Sequence, residues 1–394
     1  MGELQKNAVD SIELGGIVTL RDRLIELQGQ GRKVFRLESG DPSFDVPPHV
    51  IEAIDKALAD GHTHYTAGAG IKPFREAIYN KVREANRIPL SGPEQVLVTN
   101  GAMHALYVAF RSLCSPGDEV LMPDPTWTET ADNVTLSGGV AVRVPLDAST
   151  GYRYRADAIA KCITPRTRAI VINSPHNPTG GVCTREEIAA IVELASRHGI
   201  YVLSDEAYEH VLFDGREHVS PASLGYDRVL SVFSFSKSYA MSGLRLGYVT
   251  TTDAALLQRM TKLLRCTING VNSATQYGGV AALTGPQDAT RAMAAEYQRR
   301  RDALWQGLQS AKLLHPFKPE GAFYLWARID DAWPGFDGKR DGWAMTRFLI
   351  EETGVGSAPG EVFGPCGAGH VRFAFSCSTE QVVEGAKLLA RALG

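Results

Sequence analysis

Ser231-Val-Phe-Ser-Phe-Ser-Lys-Ser-Tyr-Ala-Met-Ser-Gly-Leu-Arg-Leu-Gly247 is the stretch on which the fold turns. Its upstream end, Arg228-Val-Leu-Ser-Val-Phe-Ser234, is a short apolar and β-branched run, the pattern of a strand buried on both faces. Lys237 therefore leaves the end of a strand. An amine placed there, among small hydroxyls and beside Arg245, loses water and meets a second cation, and both effects lower a lysine pKa. Such a lysine is a candidate covalent amine. Taken alone it reads at least as well as a surface lysine snorkelling from a sheet edge. Its neighbours in the fold decide between the two.

Three more polar groups stand at the ends of predicted strands: Asn100-Gly101 after Gln95-Val-Leu-Val-Thr99, Asn177 after Arg168-Ala-Ile-Val-Ile-Asn173, and Asp205 after Tyr201-Val-Leu-Ser204. In open parallel sheets, ligands bind beyond the carboxyl ends of the strands. From Gln95 to Thr251 buried strand alternates with amphipathic helix, so the fold class is α/β, a mostly parallel sheet with helices on both faces. The clearest helix is Arg185 to His198, with a capping box of Thr184 and Glu187 and a stop at Gly199. Before the sheet, the spacing predicts helices over 17–28, 49–60 and 73–86, a short strand over 33–37 and a turn-rich stretch over 38–48. After it, a long polar helix over 289–311 precedes a short strand over 322–327 and an alternating tail. The expected division is a large domain, 48–285, and a smaller discontinuous α+β domain from 1–47 and 286–394.

Composition narrows the function. At 394 residues the chain has room for two or three domains of about 150 residues each. A formal net charge of -3 without long single-sign runs gives no support to a nucleic-acid partner, which leaves small molecules as the default ligands. No run approaches about 18 consecutive apolar residues, so no membrane span is expected. Met1 to Lys6 lacks the basic and apolar regions of a secretory leader. Six scattered cysteines with no Cys-x-x-Cys pair read as reduced thiols of a cytoplasmic protein.

The predicted helix over 102–113 starts directly after a strand, so its free N–H groups point at the ligand edge and suit an anion. Ser234 and Arg245 add donors, and the arginine fork fits a phosphate. Asp205 at its strand end faces either water or a cationic partner, with a helix N-cap as the competing reading. A lysine able to form a Schiff base, a phosphate site and an acid suited to a pyridinium nitrogen together make a pyridoxal 5'-phosphate site.

At this point the chain resembles the class I aminotransferases among the fold type I pyridoxal-phosphate proteins. The matching motifs are Asn-Pro-Thr-Gly at 177–180, Asp-Glu-Ala-Tyr at 205–208, and Ser-Phe-Ser-Lys with Gly-Leu-Arg-Leu-Gly within 234–247. Gly40-Asp-Pro-Ser-Phe44, Tyr65, Pro319-Glu-Gly-Ala-Phe-Tyr324 and Val371-Arg-Phe-Ala-Phe375 extend the match over about residues 15–390. The resemblance implies that Lys237 holds the cofactor and moves the substrate's proton, and that Asp205 keeps the ring nitrogen protonated. It implies that Asn177 and Tyr208 bond the ring oxygen and that Trp127 stacks on the ring. Without the family, Trp127 reads nearly as well as a core tryptophan. Gly101, Ala102, Ser234 and Arg245 match the phosphate cup, which Ser236 extends.

Tyr65 matches a tyrosine that reaches the phosphate of a neighbouring subunit, which implies a homodimer. Arg372 matches the clamp for the substrate α-carboxylate, with Gly40 on its other side; pattern alone favours an outward-facing arginine on an alternating strand. The implied reaction is ping-pong transfer of an amino group from an L-amino acid to a 2-oxo acid. A lyase, cyclase or decarboxylase on the same scaffold is the first alternative, and a cofactor-binding regulatory module the second. Ser234-Phe-Ser-Lys237 also fits a Ser-x-x-Lys motif, but no Lys-Thr-Gly accompanies it. No His-Glu-x-x-His or zinc-spaced cysteine cluster occurs, so no metal is expected.

Overall fold

Alternation along each strand sorts its side chains between two layers of helices. In β1 (Val96–Thr99), Val96 and Val98 enter a cluster with Phe74, Ile78 and Ala282, while Leu97 enters the opposite one with Ala105, Phe110 and Leu264. In β4 (Thr167–Asn173), Val171 joins the side of Ala105, and Ile170 and Ile172 pack with Ile188 and Ile191. Both faces are buried, and each Val, Leu or Ile so covered contributes about 1.5–3 kcal/mol. The chain is described here from a computed structural model over residues 7–12, 16–336 and 340–394. The leader reading of Met1 to Lys6, and the parts of the small domain at 1–6, 13–15 and 337–339, lie outside the described residues.

With β2 (Glu119–Asp124), β3 (Val140–Pro145), β5 (Tyr201–Asp205), β6 (Val229–Ser234) and β7 (Gly247–Thr250), these strands form a seven-stranded sheet of order β1-β7-β6-β5-β4-β2-β3. The sheet is parallel from β3 to β6, and β7 runs antiparallel to both β6 and β1. The helices before and within it are α1 (Ile17–Gly29), α2 (Pro48–Ala59), α3 (Lys72–Glu84), α4 (Gly101–Leu113), α5 (Thr128–Leu136), α6 (Ala156–Ala160), α7 (Arg185–His198) and α8 (Phe235–Ser238). After it come α9 (Ala254–Thr267), α10 (Ser273–Thr284), α11 (Asp288–Gly307), α12 (Gly342–Thr353) and α13 (Thr379–Ala392). α4 and α9 cover one face of the sheet, and α3, α7 and α10 the other. α7 carries the expected capping box, and Gly199 closes it in the left-handed conformation, φ 63°.

A second, antiparallel sheet of order β10-β11-β9-β8 is built from β8 (Leu314–Pro316), β9 (Tyr324–Ile329), β10 (Ala358–Pro359) and β11 (His370–Ala374). Its core joins Phe35 and Leu37 to Leu304, Leu325, Phe373 and Leu389, so the early chain packs with the late chain.

Several expected elements are displaced. Residues 33–37 form no strand: Phe35 makes a lone parallel bridge to Val355, and Leu37 accepts a bond from the Ala374 N–H, so burial there proceeds without a ladder. The strand expected over 322–327 is β9, two residues later, because Ala322 takes φ 55° and donates its N–H to Val211. The long helix ends at Gly307 and continues as a 3-10 turn over Leu308–Ser310. Lys237 sits on the one-turn helix α8, capped by Ser234, rather than on the strand end itself.

Candidate active site

Strand register brings the polar groups together. Thr99 and Ser234 both lie opposite Gly247, and Asn173 lies opposite Asp205, so the carboxyl ends of β1, β6, β5 and β4 share one edge. Glycine is needed where β7 begins. A Cβ on Gly247 would lie 2.7 Å from the Gly101 carbonyl carbon and 2.8 Å from the Ala102 nitrogen, so α4 can seat its first turn here only over a bare backbone. Gly101 has φ +82°, and a Cβ there would lie 2.8 Å from Arg245 Nη2. Ala102, Ser234 and Arg245 thus line one end of a cleft of about 400 Å³, where the unpaired amides of the first turn of α4 suit an anion. Arg245, itself at φ 54°, is steadied by an Nη1–H bond of 2.8 Å to the Ser242 carbonyl.

Lys237 occupies the middle of the cleft, its Nζ donating to the Gly40 carbonyl at 2.7 Å. Burial pulls the amine pKa down to about 8; Asp41 and Asp205 oppose the fall, while Arg372 and Arg245 add to it. Asp205 lines the same cleft, and burial raises its pKa to about 6 against the Ala207 N–H bond, 3.2 Å, and the nearby Lys237. Asn173 braces this group: its Nδ2 donates to the Asp205 carbonyl at 3.1 Å, and its Oδ1 accepts the Asn177 N–H at 2.8 Å.

Arg372 lines the same cleft and is 2 % exposed, so the outward-facing reading of β11 fails. Its Nη1 donates to Asn177 Oδ1 at 3.1 Å and its Nη2 to the Glu38 carbonyl at 2.9 Å, while its Nε has no protein partner. The guanidinium stands 4.3 Å from the Tyr324 ring and 4.8 Å from that of Phe363, a stacked setting that orients it. Tyr208 and Tyr324 join their hydroxyls at 2.8 Å beside it.

Gly40, Ala102, Trp127, Asn177, Asp205, Tyr208, Ser234, Ser236, Lys237, Arg245 and Arg372 all line the one cleft. Trp127 also packs, partly buried, against the cluster of Trp326 and Phe363. Tyr65 is not brought into the cleft. It is 90 % exposed and lines a separate surface hollow with His62 and Gly270. Sequence reasoning missed Tyr324, Asn173 and Asp41 as cleft residues. A polar residue ending a buried run signalled Asn173, and Gly40 signalled Tyr324, whose hydroxyl lies 2.4 Å from where a Gly40 Cβ would be.

What such a cleft can do is narrow. An amine of lowered pKa condenses with an aldehyde, the cradle around Gly101 and Gly247 matches a phosphate, and the strand-end carboxyl group at Asp205 matches a ring nitrogen. This is the chemistry of enzymes that work through pyridoxal 5'-phosphate, and the residues present fit that group. The chain belongs to the aminotransferase class I and II family, whose profile matches residues 32–389, and it is a pyridoxal-phosphate-dependent aminotransferase. It is 37% identical to the aspartate/prephenate aminotransferase of Thermus thermophilus, covering 98% of each chain. It is 36% identical to the arginine–pyruvate transaminase of Pseudomonas aeruginosa over 92% of this chain and 90% of that one. The crystal structure of the aspartate aminotransferase from Rhizobium meliloti superposes with a TM-score of 0.93 at 32% identity, covering 100% of this chain and 99% of that one.

Proposed function

We propose that this cleft binds an L-amino acid by its α-carboxylate at Arg372 and transfers its amino group to a 2-oxo acid. The observation that carries the reading is the buried guanidinium with an unpartnered Nε, lining the same cleft as the amine of Lys237. Pyridoxal phosphate, when bound, supplies an aldehyde carbon and an electron-accepting ring. Lys237 would hold the cofactor by its aldehyde carbon and, once freed, its amine would be the base that moves the substrate's Cα proton across the nitrogen to that carbon. Its lowered pKa suits a base near neutral pH. Asp205 would pair with the ring nitrogen and keep it protonated. Asn177 and Tyr208 would bond the ring oxygen, Trp127 would stack on the ring, and Gly101, Ala102, Ser234, Ser236 and Arg245 would hold the phosphate. Gly40 faces the carboxylate from the other side.

We place the domain division at 48–285 against 1–47 with 286–394, supported by the two separate sheets and by the core that joins Phe35 and Leu37 to the C-terminal elements. We infer a cytoplasmic homodimer in which Tyr65 serves the partner's cofactor phosphate, supported by its exposure of 90 % and by six unpaired cysteines. No helix of the described residues is long and apolar enough to cross a membrane.

The test is a half-reaction. Given the donors named for its relatives, aspartate and arginine, together with the common L-amino acids, one of them should bleach the cofactor's visible band and release one equivalent of oxo acid per site. The reaction should then stop until a 2-oxo acid is added. Sustained product formation without an acceptor would show the proposed transfer to be wrong.

A further inference from the structure

The segment after β5 presents different residues to two sides. Asp205 and Tyr208 line the cleft, whereas Glu206 and Glu209 turn away from it into a polar network behind the sheet edge. The Glu206 carboxylate is fully buried, its Oε2 2.7 Å from His218 Nε2 and its Oε1 accepting the Ser220 hydroxyl at 2.9 Å. A carboxylate only accepts, so His218 carries its hydrogen on Nε2 here. Ser231 on β6 lies 3.3 Å from the Ser220 oxygen. Glu209 has its own lysine, Lys81, and accepts from Asn86 Nδ2 at 2.7 Å, with His210 Nε2 3.6 Å away and His218 also within electrostatic reach. Burying a carboxylate costs several kcal/mol unless it is bonded and its charge used or balanced. Lys81 balances Glu209. Glu206 meets only an imidazole and a hydroxyl, immediately next in sequence to the acid of the cleft.

We propose that Glu206, clamped by His218 and Ser220, is a positioning residue that acts through Asp205. It pins the segment so that Asp205 faces the cleft, and its negative charge lies behind that acid and favours a protonated ring nitrogen. The proposal rests on the reading of Asp205 given above. The two carboxylates interact: the charge on Glu206 makes ionisation of Asp205 harder in the empty cleft. A positive group in front of Asp205 reverses the balance, because both negative charges then attract it.

The experiment compares apo-protein affinities for pyridoxal phosphate and for its analogue with carbon in place of the ring nitrogen. Glu206→Gln keeps the shape and a partner for Ser220. It should weaken pyridoxal phosphate about tenfold, the size expected of one charge acting over roughly 10 Å at an effective dielectric near 20. The carbocyclic analogue should bind as it does to the parent. Equal weakening of both ligands, or of neither, would overturn the proposal. Should Glu206→Gln fail to fold, Ser220→Ala carries the test. It keeps the charge and removes one bond, and the affinity ratio of the two ligands should stay within about twofold of the parent; a tenfold change in that ratio would overturn it. A parent protein that does not distinguish the two ligands would instead sink the reading of Asp205.

Discussion

The amine of Lys237 offers a direct quantitative check, because its reactivity depends on the fraction without a proton. With a pKa of about 8 against the ordinary 10.5, about a tenth of the amine is neutral at pH 7, where an unperturbed lysine has about 300-fold less. Burial is the main cause, so the shift belongs to the folded apo-protein and vanishes on unfolding. Competitive acetylation of the apo-protein across pH 6 to 11, read peptide by peptide by mass spectrometry, should give half-maximal labelling of Lys237 near pH 8. A free blocked lysine added to the same sample, with an ordinary value of about 10.4, serves as the internal reference. Asp41, whose Oδ1 accepts the Ser242 hydroxyl at 2.5 Å, opposes the fall, so Asp41→Asn should lower the midpoint further, by up to about one pH unit. Linkage gives the same sign for stability. A lysine with a depressed folded pKa makes the apo-fold gain stability as pH rises from about 8 to 10.5. A Lys237 midpoint at or above pH 10, or an upward move in Asp41→Asn, would refute the assignment of burial and Asp41 as opposing causes.

Three other outcomes are expected. Arg372→Leu should lower kcat/KM for amino acids about 100- to 1,000-fold, as loss of a buried charge pair implies, while matching amines without a carboxylate change less than about tenfold in steady-state assays. Gly247→Ala should destabilise the protein by about 1–3 kcal/mol in urea unfolding and weaken pyridoxal phosphate far more than pyridoxal, because the added carbon strikes the backbone of the phosphate cradle. Mixing Tyr65→Phe with inactive Lys237→Ala should recover dimers with one fully active site, and recovery of none would remove Tyr65 from the partner's site.

Lys237, Asp205 and Asn177 were legible because buried β-branched runs end just before or at them, and a parallel sheet collects such ends on one edge. Arg372 was legible only through the family motif. Its strand alternates as though one face met water, yet both faces of β11 are covered and its burial runs unbroken from Val371 to Ala374. Asn173 and Tyr324 escaped because each stands at the end of an apolar run, and the partners of their polar ends, at Asp205, Asn177 and Tyr208, are set by the fold and not by spacing. The network at Glu206 was invisible for a related reason. His218 and Ser220 approach it from one loop and Ser231 from a strand, and no periodicity links them.

The arrangement of Arg372 has a consequence for how the enzyme matures on the ribosome. The ends of the large sheet's strands that line the cleft are all encoded by residue 250, whereas Arg372 stands on β11, the last strand among the described residues, and is held by the Glu38 carbonyl from the first part of the chain. Chains fold domain by domain as they emerge. Translation therefore supplies the seven-stranded sheet and the helices α9 and α10 that cover it by residue 284, 88 residues before Arg372, and a chain stopped between the two would hold Lys237 and Asp205 without that arginine.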